Sequence, residues 1–190
     1  MEIQRFDIDG LLLIKPKVFG DERGYFFESF NKKCFDEAVG YEVNFIQDNE
    51  SKSSYGVLRG LHFQRPPFTQ AKLVRVIEGE VLDVTVDLRI GSSTFGQFQS
   101  VILSGENKHQ FFIPRGFAHG FIVMSKTAVF AYKVDNYYSP ECDRGIAFDD
   151  KNLNIDWKLP LKEMKLSDKD KNQPSFKQAT YFNIKEKLYV

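Results

Sequence analysis

Residues 71–78 read AKLVRVIE and residues 81–88 read VLDVTVDL, joined by Gly79-Glu80. Apolar and polar side chains alternate in both runs. Successive side chains of a strand point to opposite faces, so each run reads as a half-buried strand. A glycine and a polar residue between two such runs predict a tight hairpin at 79–80. Working outward, residues 57–64, 97–104, 110–114, 119–124 and 127–134 are further strand-like runs, with GSSTFG, SGENK, PRGFA and SK separating the later ones. Many short strands with Gly/Pro turns, about ten residues apart, predict an all-β antiparallel sandwich or barrel. Helix is sparse. Residues 31–38, NKKCFDEA, begin with a capping-type Asn and carry one apolar edge, which predicts a short helix. Beyond Asp149 the chain mixes polar residues, prolines and short helical scraps, and reads as an irregular C-terminal wrap over the barrel. No linker, low-complexity stretch or solenoid repeat divides it, so residues 1–190 read as one domain.

Composition narrows the function. The 190 residues are 42% hydrophobic and 15% aromatic, enough for a core without staples. Lys plus Arg and Asp plus Glu number 26 each, so no broad basic face is available for a nucleic-acid backbone. A phosphate site must therefore be local, made from a few convergent cations. The apolar run near the start, Leu11 to Ile14, is too short for a signal peptide or a membrane span. Cys34 and Cys142 are far apart and show no metal-ligand spacing, which suits free thiols in a reducing cytosol. A soluble cytoplasmic protein is expected.

The histidines are His62, His109 and His119. His62 lies in GVLRGLHFQ, residues 56–64, where strict alternation points Arg59 away from it. A twist or bulge at Gly60 would turn both towards one cavity. Taken alone, His62 reads more readily as a satisfied core group and Arg59 as a surface charge. Lys72 opens an otherwise apolar strand directly after PPFTQ, and is either a strand-edge residue with a solvated head or a member of a site. IPRGFAHGF, residues 113–121, sets His119 at the start of a strand, as a site residue or as a barrel corner. Tyr132 in AVFAYKV, by itself, reads as packing.

Several chemistries lack their residues. A catalytic metal generally takes three protein ligands, and His62-Phe63-Gln64 offers one histidine and a weak ligand. There is no GxSxG elbow, neither cysteine has a motif, and GxGxxG and Walker loops are absent, so no cofactor is expected. What remains is a proton-transfer set of His, Lys, Tyr and carboxylates, suited to chemistry next to a carbonyl.

The runs RGLHFQ, QAKLVRVIEGEVLDVTVDLR, GSSTFGQF, IPRGFAHGF, AYKVDNYYSPECDRGI and LSDKD closely resemble the dTDP-4-dehydrorhamnose 3,5-epimerase family, in consistent order from Phe6 to Asp170. The resemblance implies a cupin-type β-roll and a homodimer working without metal. It also implies conversion of dTDP-4-keto-6-deoxy-glucose to the L-rhamno 4-keto sugar, on the route to dTDP-L-rhamnose. By motif, His62 is similar to the general base, Asp170 to its partner, and Tyr132 to the acid on the opposite face. Lys72 is similar to the cation beside the sugar O4. For substrate binding, Arg23 and Glu28 match a segment that reaches the nucleotide partly from the neighbouring subunit. Gln47, Asn49, Arg59, His119 and Lys169 match further binding positions. Phe19, Phe26 and Tyr138 are aromatics suited to stacking on thymine or bordering the sugar. Asp143 stands where the family commonly has Glu, which puts that contact in question. Within this resemblance a 3-epimerase, 5-epimerase or 3,4-ketoisomerase of a related dTDP-sugar is the near alternative. A non-catalytic nucleotide-sugar-binding cupin is the alternative from another class.

Overall fold

The computed structural model of the chain describes residues 1–185 and 188–189. The first strands are β1 (Glu2–Arg5), β2 (Leu12–Lys15), β3 (Phe19–Asp21) and β4 (Gly24–Phe26), followed by helix α1 (Lys32–Val39). The central run is β5 (Gln47–Ser54), β6 (Leu58–Gln64), β7 (Lys72–Glu78), β8 (Glu80–Asp87), β9 (Arg89–Ile90) and β10 (Phe98–Ser104). Then come β11 (Gln110–Ile113), β12 (Phe117–Val123), β13 (Thr127–Val134) and β14 (Asp143–Gly145), with helix α2 (Asp168–Lys171) and β15 (Phe182–Asn183) near the end.

Two antiparallel sheets hold the molecule, in the orders β1-β2-β11-β7-β13-β5 and β10-β8-β12-β6-β14. The main core lies between them. Val74 and Val76 of β7, Phe111 of β11 and Phe130 of β13 meet Val81 of β8, Leu103 of β10 and Phe121 of β12. This is the all-β antiparallel architecture of a cupin-type roll, and every strand-like run read from the sequence lies in one of the two sheets.

The expected hairpin at 79–80 is not there. β7 pairs with β11 and β13, whereas β8 pairs with β10 and β12 in the other sheet. Gly79 is a corner between sheets. Its φ is +81°, and a Cβ there would lie 2.0 Å from the Thr127 carbonyl oxygen. The local pattern of two strands around a glycine is the same for a hairpin and a corner. Only the partners of each strand tell them apart.

The half-buried reading of residues 81–88 also changes, because Val81 through Asp87 are all buried. Val81 faces the other sheet, whereas Leu82, Val84 and Val86 pack beneath Ile146, Phe148, Leu153 and Trp157. The C-terminal wrap thus supplies a second apolar layer, pinned where the Trp157 indole donates to the Phe148 carbonyl at 2.8 Å. Asp83 and Thr85 alternate onto the inner face with Val81, away from solvent. On the outside of the other sheet, α1 is capped by Asn31, whose side chain accepts from the Cys34 amide. It buries Phe35 against Phe112. No helix among the described residues is long and apolar enough to cross a membrane.

Candidate active site

The inner faces of the two sheets open into a cavity of about 550 Å³ that Arg59, His62, Lys72, His119, Tyr132, Lys169 and Asp170 all line. That volume suits a small organic ligand. Period-two alternation explains the members from the first sheet. Lys72 shares the inner face of β7 with Val74 and Val76, and Tyr132 that of β13 with Phe130.

On β6 alternation alone fails, because positions 59 and 62 are three apart. The strand slips against β12: His119 pairs with His62, but Phe121 pairs with Arg59. One extra residue on β6 inverts the phase of the strand, so both side chains face inward. Gly60, at φ +130°, makes the slip possible. A Cβ there would stand 2.5 Å from the Gly120 Cα.

His62 Nε2 lies 2.5 Å from Asp170 Oδ1. Burial pushes the Asp170 carboxyl up, but hydrogen bonds from His62, Ser167 and the Gly60 amide outweigh it and hold it below its ordinary value. An ionised carboxylate only accepts, so His62 Nε2–H donates, and in the neutral ring Nδ1 carries the free lone pair. From the opposite sheet, burial raises the Tyr132 phenol above its usual value, with Arg59 pulling the other way, so the group stays protonated at neutral pH. An imidazole on one wall and a neutral phenol on the other are groups able to exchange protons with whatever lies between them.

Burial pulls the Lys72 ammonium down to about 8, against the Asp83 and Asp143 carboxylates and with Lys169 adding to the fall. Asp83 is fully buried and accepts from His119 Nε2 at 2.9 Å. Burial pushes the Asp83 carboxyl up and the His119 imidazole down, so it disfavours charge on both partners of this hydrogen bond. Phe121 and Phe130, stacked at 4.2 Å between ring centroids, form an apolar part of the wall.

The remaining expected residues lie outside the lining of this cavity. Gln47 and Asn49, joined by a 2.8 Å side-chain hydrogen bond, share one side of the edge strand β5 with Ser51, which lines the cavity. Asn49 also borders a neighbouring groove. Tyr138 donates to Asp143 Oδ2 at 2.8 Å, and Lys169 forms an ion pair with the same carboxylate. Aspartate at 143 is thus long enough to hold both.

Arg23 and Glu28 are not brought to the cavity of their own chain. Arg23 sits on the β3–β4 hairpin, 85% exposed and paired with Asp21, and Glu28 accepts from Asn31. Phe19, Tyr25 and Phe26 of that hairpin are exposed as well.

Asp83, Ser53 and Ser167 escaped the sequence reading. Ser53 accepts from Arg59 Nε at 3.2 Å. Asp83 carried one usable signal, a carboxylate at an inward position between apolar neighbours. The serines carried none.

A two-sheet roll with a carboxylate-paired imidazole facing a phenol across its cavity is a cupin-type protein equipped for proton transfer. Comparison with known proteins narrows the class. The dTDP-4-dehydrorhamnose 3,5-epimerase family model matches residues 5–178, and the chain belongs to that family. It is 55% identical over 182 residues to the dTDP-4-dehydrorhamnose 3,5-epimerase of Shigella flexneri, covering 96% of this chain and 99% of that one. The crystal structure of the dTDP-6-deoxy-D-glucose-3,5-epimerase of Legionella pneumophila with dTDP-4-keto-L-rhamnose superposes with a TM-score of 0.93 at 49% identity, covering 97% and 99% of the two chains. A 3'-monoepimerase of Streptomyces bikiniensis, solved with dTDP-quinovose, is more distant, with a TM-score of 0.82 at 32% identity and coverage of 90% and 85%.

Proposed function

We propose that this protein inverts C3 and C5 of dTDP-4-dehydro-6-deoxy-D-glucose, giving dTDP-4-dehydro-L-rhamnose for dTDP-L-rhamnose synthesis. The observation that carries the reading is the placement of His62, backed by Asp170, and Tyr132 on opposite walls of one cavity. A carbon beside a ketone inverts only if its proton leaves one face and another arrives on the other. In this reading His62 Nδ1 takes the proton from carbon, and the electron pair moves into the C4 carbonyl to form an enolate. Lys72 stands by the enolate oxygen, where its charge favours the transition state over the neutral ketone. The Tyr132 hydroxyl then delivers its proton to carbon from the far side. The C4 ketone activates both neighbours, so one site serves both inversions after the sugar ring shifts.

The nucleotide runs outward past Arg59, His119, Gln47 and Asn49, with Tyr138, Asp143 and Lys169 at the rim. Arg23 and Glu28 complete the site from a second copy in a homodimer, which accounts for a charged, aromatic hairpin directed away from its own cavity. No metal or other cofactor has a part in these steps, and a nucleotide-sugar substrate suits a cytoplasmic location.

Proton exchange tests the reading. Turnover of the 4-keto substrate in deuterated water should place label at both C3 and C5, read by NMR. Label at C3 alone would make the protein a mono-epimerase, and no label would reject epimerisation.

A further inference from the structure

Ser167 holds the N-cap position of α2, at φ −69° and ψ 162°. Its Oγ accepts from the Asp170 amide at 3.1 Å and lies 2.6 Å from Asp170 Oδ2. Asp170 is buried and acceptor-only when ionised, so the hydroxyl proton points at Oδ2. The other oxygen, Oδ1, meets His62 Nε2 at 2.5 Å. The two carboxylate oxygens therefore have separate side-chain donors, one at the cap of α2 and one on β6, with the Gly60 amide as a further backbone donor. Because the serine oxygen is itself fixed by the amide of the same turn, its donor direction is set by backbone geometry.

We infer that Ser167 is a positioning residue of the proton-transfer site. It locks the plane of the Asp170 carboxylate so that Oδ1 holds Nε2 of His62 and Nδ1 is presented to the cavity. Rotation of the carboxylate would forfeit a charge-assisted hydrogen bond, and a free carboxylate would leave the imidazole ring without a fixed orientation. The inference rests on His62 being the base of the proposed reaction.

A cap that merely ends a helix and a hydroxyl that aims a carboxylate respond differently to substitution. Glycine is nearly as good an N-cap as serine, so Ser167→Gly keeps α2 while removing the donor. Threonine supplies both donor and acceptor. With the 4-keto dTDP-sugar as substrate, Ser167→Gly should lower kcat about ten- to a hundredfold, the range for a lost hydrogen bond to a charged group. KM and dTDP affinity should stay within about twofold, since the Ser167 hydroxyl borders the cavity but commits its proton to Asp170 Oδ2. Ser167→Thr should return kcat to within about threefold of the parent.

Wild-type kcat in Ser167→Gly, or a loss that Ser167→Thr does not restore, would overturn the positioning role while leaving the epimerase reading intact. Failure of the unaltered protein to exchange deuterium into the sugar would overturn both. A loss carried by KM would make Ser167 a binding group and so overturn the inference too.

Discussion

At Lys72 the side chain stands on the inner face of β7, where Asp83 and Asp143 favour its charge while burial and Lys169 oppose it. Its acid form ends at about 8, close to neutral pH. An ammonium stabilises an enolate only while protonated, so the Lys72 contribution to activity should be full below about 8 and be lost as pH rises through it. The alkaline limb of a kcat/KM profile measures this directly. Lys72→Arg should move the limb upward out of the accessible range, at a reduced rate, because guanidinium does not deprotonate there. An unmoved limb would assign the titration to another group. His62→Ala removes the base and should cost about 10²–10⁴ in kcat, the usual worth of general base catalysis. Its affinity for dTDP, by calorimetry, should hardly change. His62, Lys72, Tyr132 and Asp170 were legible because they sit in long runs that resemble a known family. Asp83 was not, since a carboxylate alternating with valines also describes a strand with one wet face. Only the wrap over the outer face of β8 reverses that reading.

The elements that shape the site owe their geometry to two glycines. Gly60 and Gly120 cross so closely that a Cβ on either would meet the backbone of the other strand, 2.5 Å from the Gly120 Cα in one case and 2.7 Å from the Arg59 carbonyl oxygen in the other. Gly60 also has a φ of +130°. Gly60→Ala should therefore be the worse substitution, adding about 1–3 kcal/mol of backbone strain to the steric clash. Gly120→Ala tests the crossing with no penalty from a positive φ. Thermal unfolding should rank them below the parent in that order. Both should lose activity beyond what stability explains, because forcing β6 away from β12 moves Arg59 and His62 together. Equal melting temperatures for all three would remove the close crossing from the account. The same elements show the reach and limit of sequence pattern. A twist or bulge at Gly60 was legible only as one way to bring Arg59 and His62 to a shared cavity, and the register slip between β6 and β12 supplies it. The edge strand β5, QDNESKSS, was missed because it has no apolar residue to set a period. It is held by backbone pairing to β13, one residue against one along its whole length. The corner at Gly79 was misread for a related reason, since strand order is decided by contacts distant in sequence.

At the scale of the whole molecule, the proposed homodimer would join the cavity and the β3–β4 hairpin into one site, which a single chain does not do. The hairpin carries Arg23 outward with Phe19, Tyr25 and Phe26 exposed around it, at 54%, 60% and 67%. Three large aromatics left in water favour association, and a two-fold dimer would repeat the same exchange on both sides. Such an arrangement makes a prediction that no monomer can meet. Arg23→Ala lacks the guanidinium that would reach its partner's nucleotide, and His62→Ala lacks its own base. Each variant alone should be strongly impaired at low substrate concentration. In a mixed dimer, the Arg23→Ala chain keeps its own His62 and receives Arg23 from its partner, so one of the two sites is whole. Unfolding and refolding an equal mixture gives half mixed dimers, and so up to about one quarter of the parent's working sites. Activity of that order, growing over the time of subunit exchange and absent from either variant alone, would place Arg23 in the neighbouring chain's site. A mixture no more active than the mean of its parts would put each site within a single chain, and the exposed hairpin would need another explanation.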